Sequence, residues 1–179
     1  MLLEDECHLL WGDVCGRVWG PRNSTIAVPL GNERERQTYY GAVNLLTRAF
    51  HLREFAAGKG ECTVEYLRWL VELYPDKKLL LLWDGASYHR DAQVQAYLTE
   101  VNAGLCEEEW RVTLLRFAPH APEQNPVEDI WLQGKNHLRR QFAQNKTFAA
   151  VKHCFSHFLR SLRFESVKFE WYAPCPQIA

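Results

Sequence analysis

The sequence predicts one α/β domain built on a five-stranded mixed sheet, strand order 3-2-1-4-5, flanked by helices. Three observations carry that expectation. Residues 1–46 read with a period of two, and the segment that follows reads with a helical period. A continuous apolar run, Leu79-Leu80-Leu81-Leu82-Trp83, is too short for a helix standing alone and fits a strand buried on both faces. The chain of 179 residues has the length of one domain, and 47% hydrophobic with 24% charged residues excludes a disordered or collagen-like protein.

The elements follow in order. Residues 1–10 form the first strand, with Leu3, Asp5, Cys7 and Leu9 on one face and Leu2, Glu4, Glu6, His8 and Leu10 on the other, so one acid points with the apolar set. Cys15 to Trp19, closed by Gly20-Pro21, and Thr38 to Leu46, rich in Tyr and Val, complete an antiparallel meander. Thr63 is the expected N-cap of a helix carrying Val64, Leu67, Leu70, Val71 and Tyr74, and Pro75 stops it. The buried strand ends at Asp84. A second helix, from about Asp91 to Val101, places Val94, Tyr97, Leu98 and Val101 on one side, and Gly104 suits the turn beyond it. Val112 to Phe117 is the fifth strand. A Pro-rich loop, Ala118 to Gln124, leads to a helix with Asn125 as N-cap and Pro126 at its first position. The last helix, from about Phe148 to Arg163, buries Val151, Phe155, Phe158, Leu159 and Leu162 and turns Lys152, His153, Arg160 and Arg163 outward.

Three carboxylates stand out by position: Asp5 in the first strand, Asp84 at the end of the buried strand, and Glu128 in the first turn after Asn125. Each has an ordinary explanation by itself. Asp84-Gly85 is a common turn start, and Asn125-Pro126-Val127-Glu128 is a variant of the capping box. Together they imply more. In a sheet ordered 3-2-1-4-5 the first and fourth strands are neighbours, about 4.8 Å apart, so Asp5 and Asp84 approach across the ladder and the helix carrying Glu128 covers the same edge. Three like charges in one cleft repel unless a divalent cation neutralises them, and oxygen-only ligands favour Mg2+ or Mn2+ over Zn2+.

The stretches LLLLWDGASYH and FAPHAPEQNPVEDIW resemble the second and third catalytic motifs of DDE-type transposases of the mariner-like superfamily, in its bacterial insertion-sequence branch, and LLEDECHLLW resembles the first. Asp5, Asp84 and Glu128 match that family's metal-binding triad one by one. The chain departs from the pattern at Gly85, His120-Ala121 and Gln124, none of which touches the triad. The resemblance covers residues 1–140. It implies a ribonuclease-H-like catalytic domain over residues 1–145, with residues 146–179 forming a basic helix and tail packed on it. It also implies two Mg2+ or Mn2+ ions held by the triad, cleavage of phosphodiesters at transposon ends, and strand transfer by the freed 3′-hydroxyl. His89 matches a family histidine and is a candidate for a place near the phosphate, the alternative being a cap on the helix that follows. Family members carry helix-turn-helix modules before the first Asp, whereas here Met1 leaves only Leu2 to Glu4, so a separate or fused DNA-binding segment is expected. Two other readings stay open: a metal-dependent nuclease of the same fold, and a truncated or domesticated remnant that binds nucleic acid without catalysis.

Charge distribution points to the same partner. Residues 130–164 contain no Asp or Glu and carry seven Lys or Arg, against a net charge of −1 for the whole chain. Within this block Lys135, Arg139, Arg140, Lys146 and Lys152 are the candidate DNA contacts, neutralising phosphates without reading bases. The expected partners are double-stranded DNA, as transposon ends and as target, and a second copy of the chain. Trp131 has the spacing to pack against the sheet, and His153 with His157 reads as a solvated helix face, lacking the Glu of a zinc-binding H-E-x-x-H. No apolar run approaches ~18 residues, the N-terminus is acidic where a signal peptide is cationic, and six cysteines without a C-x-x-C pair read as reduced. A cytoplasmic protein, nucleoid-associated when bound to DNA, is expected.

Overall fold

The computed structural model describes residues 1–16, 19–23, 35–118, 121–161 and 163–172. Five strands, β1 (Leu2–Leu10), β2 (Arg36–Asn44), β3 (Phe50–Phe55), β4 (Leu79–Trp83) and β5 (Val112–Arg116), form one sheet in the order β3-β2-β1-β4-β5. The β1-β2 and β2-β3 pairs are antiparallel, and the β1-β4 and β4-β5 pairs are parallel. The expected sheet is therefore present, with one change of membership.

Cys15 to Trp19 is not the second strand. Trp11–Val14 is a 3-10 turn, Cys15, Gly16 and Trp19 have no ladder partners, and Arg17 and Val18 lie outside the described residues. The meander instead closes with β3. Its turn uses neither Gly nor Pro: the Asn44 side-chain oxygen accepts from the Leu46 and Thr47 amides, and Arg48 takes the left-handed conformation at φ 59°.

Four helices cover the sheet: α1 (Gly60–Leu73), α2 (Ala92–Val101), α3 (Pro126–Arg140) and α4 (Phe148–Ser161). α1 starts earlier than expected, and Thr63 is inside it, its hydroxyl bonded to the Lys59 carbonyl rather than capping the helix. Asp91 caps α2 through the Gln93 amide, and Gly104 makes the following turn at φ 77°. Asn125 caps α3 through the Val127 amide. α4 ends at Ser161 rather than Arg163; Leu162 lies outside the described residues, and Phe164 returns to the core. None of the helices of the described residues is long and apolar enough to cross a membrane.

Alternation along β1 serves two cores. Leu3, Cys7 and Leu9 pack with Ile130 and Trp131 of α3 and Phe155 and Leu159 of α4. Leu2 faces the opposite layer with Tyr66, Leu67 and Leu70 of α1 and Val94 of α2. β1 is thus covered on both sides, and the acids that alternate along it are drawn into both layers.

One glycine makes the α3 side possible. Gly41 of β2 stands opposite Asp5 in the ladder, and a Cβ there would collide with the rings of Phe50 and Trp131. Both rings are packed edge to face, with centroids 5.3 Å apart. Gly41→Ala is expected to lower stability by about 1–3 kcal/mol, the usual cost of overpacking a core. Urea denaturation measures it, and an unchanged midpoint would show that Trp131 does not need the space.

Candidate active site

β1 and β4 pair only at Leu2 with Leu81 and Leu3 with Leu82; beyond these residues the strands part. This is where the sheet changes from antiparallel to parallel, the kind of switch point at which open α/β sheets bind ligands. A cleft of about 610 Å3 opens here, lined by Asp5, Asp84 and Glu128 together with Arg90, Arg116 and Phe117. The three carboxylates singled out by position thus share one cavity, reached from a central strand, the end of its parallel neighbour, and the first turn of a covering helix.

Their environments differ. Asp5 is 7% exposed and its Oδ2 accepts a 2.9 Å hydrogen bond from the Trp131 indole N–H. Burial, then the charges of Glu128, Glu6 and Asp84, push its carboxyl well above the usual range, and the indole bond offsets only part of that. Asp84 is more open. Its Oδ1 accepts from the Ala86 amide at 2.8 Å, in an Asx turn that ends β4, and lies 3.2 Å from His89 Nδ1. The His89 hydrogen bond holds the Asp84 carboxyl below its ordinary value despite partial burial. Glu128 is exposed, and its carboxylate makes no hydrogen bond or ion pair among the described residues. Asn125 fixes the helix that carries it: while its oxygen caps α3, its Nδ2 donates to the Glu4 carbonyl at 3.0 Å, tying α3 to β1.

His89 does not line the cleft. The ring is fully buried behind Asp84 and stacked on Trp83, with centroids 3.9 Å apart. Its Nε2 lies 2.9 Å from Glu6 Oε1. Burial lowers its basicity, but the hydrogen bonds to Asp84 and Glu6 and the charges of Glu6 and Glu4 outweigh this and raise its pKa to about 10. An expected place beside a phosphate is therefore replaced by a link between Asp84 and the far face of β1.

The basic block is partly committed to the protein itself. Lys135 pairs with Asp13 at 3.3 Å, Arg139 donates to the Cys15 carbonyl and to Asn136, and Lys152 approaches Gln37 and the Phe148 ring. Arg140 and Lys146 are exposed, with no ion pair among the described residues. At 1.5 Å per residue Arg139 and Arg140 stand roughly 17 Å along α3 from Glu128. Arg90 and Arg116, which sequence reading passed over, are exposed at the cleft itself and make no ion pair or side-chain hydrogen bond among the described residues. Arg116 closes β5, and the rule that ligands bind at the carboxyl ends of parallel strands was the signal that could have found it.

A 3-2-1-4-5 sheet with carboxylates gathered at the β1/β4 divergence defines a ribonuclease-H-like core. The chain belongs to the DDE superfamily endonucleases, whose family model matches residues 1–149. In structure it is similar to the Mos1 transposase in its paired-end complex with the left transposon end, with a TM-score of 0.58 and 12% identity over 96% of this chain and 50% of that one. It is also similar to the catalytic domain of Mos1 mariner transposase, with a TM-score of 0.55 and 14% identity over 96% of this chain and 73% of that one. The catalytic core domain of BIV integrase gives 0.54 and 15%, over 96% and 91%. At these identities the likeness is one of fold. The chain spans about half the length of the Mos1 transposase in the paired-end complex. No curated protein sequence matches it.

The raised Asp5 carboxyl has a consequence for stability. Because the folded state holds this proton more tightly than the unfolded chain, the benefit is full below about pH 3.9 and is lost as pH rises through the folded value. In EDTA at pH 7, Asp5→Asn is therefore expected to melt higher than the wild type, and its melting temperature should fall less between about pH 4 and 7. Thermal melts across that range test this; a lower melting temperature for the variant in EDTA would show that the site is not electrostatically strained.

Proposed function

We propose that the chain is the catalytic domain of a DNA transposase, cleaving phosphodiesters at transposon ends and joining the freed 3′-hydroxyl to target DNA. The observation that carries this reading is the convergence of Asp5, Asp84 and Glu128 in one cleft. The donor set suits a hard divalent ion: all oxygen, one carboxylate raised by burial and by its like-charged neighbours, another without a hydrogen bond or ion pair among the described residues. Asp5, Asp84 and Glu128 would hold Mg2+ or Mn2+, two ions in this reading. When bound, such ions supply Lewis acidity to the attacking and leaving oxygens of the phosphodiester.

The chain's own residues do the rest. Trp131 orients Asp5 through its indole N–H, and the Ala86 amide and His89 hold the Asp84 carboxylate in its ionised form. Arg90 and Arg116 line the cleft beside the acids with two guanidinium groups that make no ion pair among the described residues, suited to non-bridging phosphate oxygens. Arg140 and Lys146, and more weakly Lys135, Arg139 and Lys152, would extend the phosphate contacts along α3 and α4. None of these groups reads a base, so selection of transposon ends falls to a helix-turn-helix segment, fused or separate.

A labelled duplex incubated with Mn2+ tests the reading. Nicking is expected in the wild type and should fall by more than about 100-fold in Asp84→Asn and in Glu128→Gln, since even the partners of metal ligands are worth 10–100-fold. The Arg90→Ala/Arg116→Ala variant should weaken DNA binding and reduce the slope of log K against log salt by about 2, at ~0.9 per phosphate contact. Cleavage that survives Asp84→Asn would overturn the assignment of the chemistry. An unchanged salt slope would remove the two arginines from the DNA path.

A further inference from the structure

The acids on the other face of β1 are not explained by the cleft. Glu4 and Glu6 alternate away from Asp5 into the layer covered by α1, and their side chains are only 2% and 3% exposed. Glu6 has partners, with His89 Nε2 at 2.9 Å. Glu4 has no hydrogen bond among the described residues: both of its carboxylate oxygens are buried without such a partner, and the only charged contact there is His89 Nε2, 3.9 Å from Oε2. One ligand-type atom from each of Glu4, Glu6 and His89 falls within 4.8 Å of the others.

We propose that Glu4, Glu6 and His89 form a second, buried site for a first-row transition-metal ion such as Zn2+, on the opposite side of β1 from the DNA cleft. Protonating Glu4 does not resolve its burial, because a carboxylic acid there would present an O–H donor and a carbonyl acceptor, both still unpaired. A divalent ion does. It balances the two carboxylate charges and gives Glu4 an electrophile for its oxygens. The donor set of one imidazole and two carboxylates suits zinc or its neighbours rather than Mg2+, which prefers oxygen and water.

The outer contacts fit as well. A metal-bound histidine usually donates its second ring N–H to a carboxylate or a backbone carbonyl. His89 Nδ1 lies 3.2 Å from both the carboxylate Oδ1 and the carbonyl oxygen of Asp84. The closed surroundings make this a structural site, and it braces from behind the side chain that the cleft uses in front.

The test is the metal content of the full chain produced in zinc-containing medium and passed over a chelating resin. It is run in a His153→Ala/His157→Ala background, because those exposed rings, four residues apart and parallel at 5.8 Å, could hold zinc adventitiously. About one zinc per chain should be retained, as in closed structural sites. The same content should persist in Asp5→Asn/Glu128→Gln, which separates this site from the cleft. It should be lost in the near-isosteric Glu4→Gln, whose folding is checked by circular dichroism. Added Zn2+ should raise the melting temperature of the resin-stripped background protein but not that of Glu4→Gln. Zinc absent from the background protein, zinc retained by Glu4→Gln, or zinc lost with Asp5 and Glu128 would each overturn the proposal. So would a Glu4→Gln protein that melts higher than the zinc-treated background protein, since Glu4 would then be only an unfavourable buried acid.

Discussion

Three consecutive carboxylates, Glu4, Asp5 and Glu6, lie on the central strand of the sheet, and strand geometry sends them alternately to its two faces. Both faces are covered by helices, so none of the three reaches open solvent in the way an edge-strand acid would. Burying a carboxylate costs several kcal/mol unless it is paired and hydrogen-bonded. Much of the local architecture answers that constraint. Trp131 reaches over Gly41 to Asp5 on one side, and His89 reaches Glu6 on the other. Of the three, Glu4 is left with carboxylate oxygens that accept no hydrogen bond among the described residues.

The two faces are not independent. His89 touches Asp84 through one ring nitrogen and Glu6 through the other, and its ring is clamped against Trp83 at the end of β4. Asn125 performs a similar service for α3, capping the helix with its oxygen and holding the Glu4 carbonyl with its amide nitrogen. The position of each cleft carboxylate is thus set by contacts that cross from one element to another. Burial and the charges of Glu128, Glu6 and Asp84 together raise the Asp5 carboxyl, so the contacts that fix these side chains hold like charges close to one another.

Much of this is legible in the sequence. The period-two pattern of β1 put Asp5 with Leu3, Cys7 and Leu9, which is the face it occupies, and the apolar run Leu79–Trp83 marked the central parallel strand ending at Asp84. What escaped has physical reasons. β3 was missed because Phe50, Leu52 and Phe55 do not alternate, as its two apolar sets belong to opposite cores, and because its turn relies on Asn44 and a left-handed Arg48. Cys15 to Trp19 looked like a strand by composition, yet β2 already occupies the edge of β1 it would need, and Trp19 is fully exposed. Glu4 and Glu6 could be placed only on the face opposite Asp5, because a strand's second cover is invisible in its own sequence. Arg90 and Arg116 went unnoticed as isolated cations in an acidic part of the chain, whereas the conspicuous basic run sits farther along α3 and α4.

The most direct measurement is the anomalous scattering of a crystal of the chain soaked in millimolar Mn2+. Peaks bounded by the carboxylates of Asp5, Asp84 and Glu128, with Asp5 still bonded to Trp131, are the predicted result. A cleft without manganese, its three carboxylates splayed into solvent or neutralised by Arg90 and Arg116, would contradict the claim that the strand's buried charge is arranged to receive a metal.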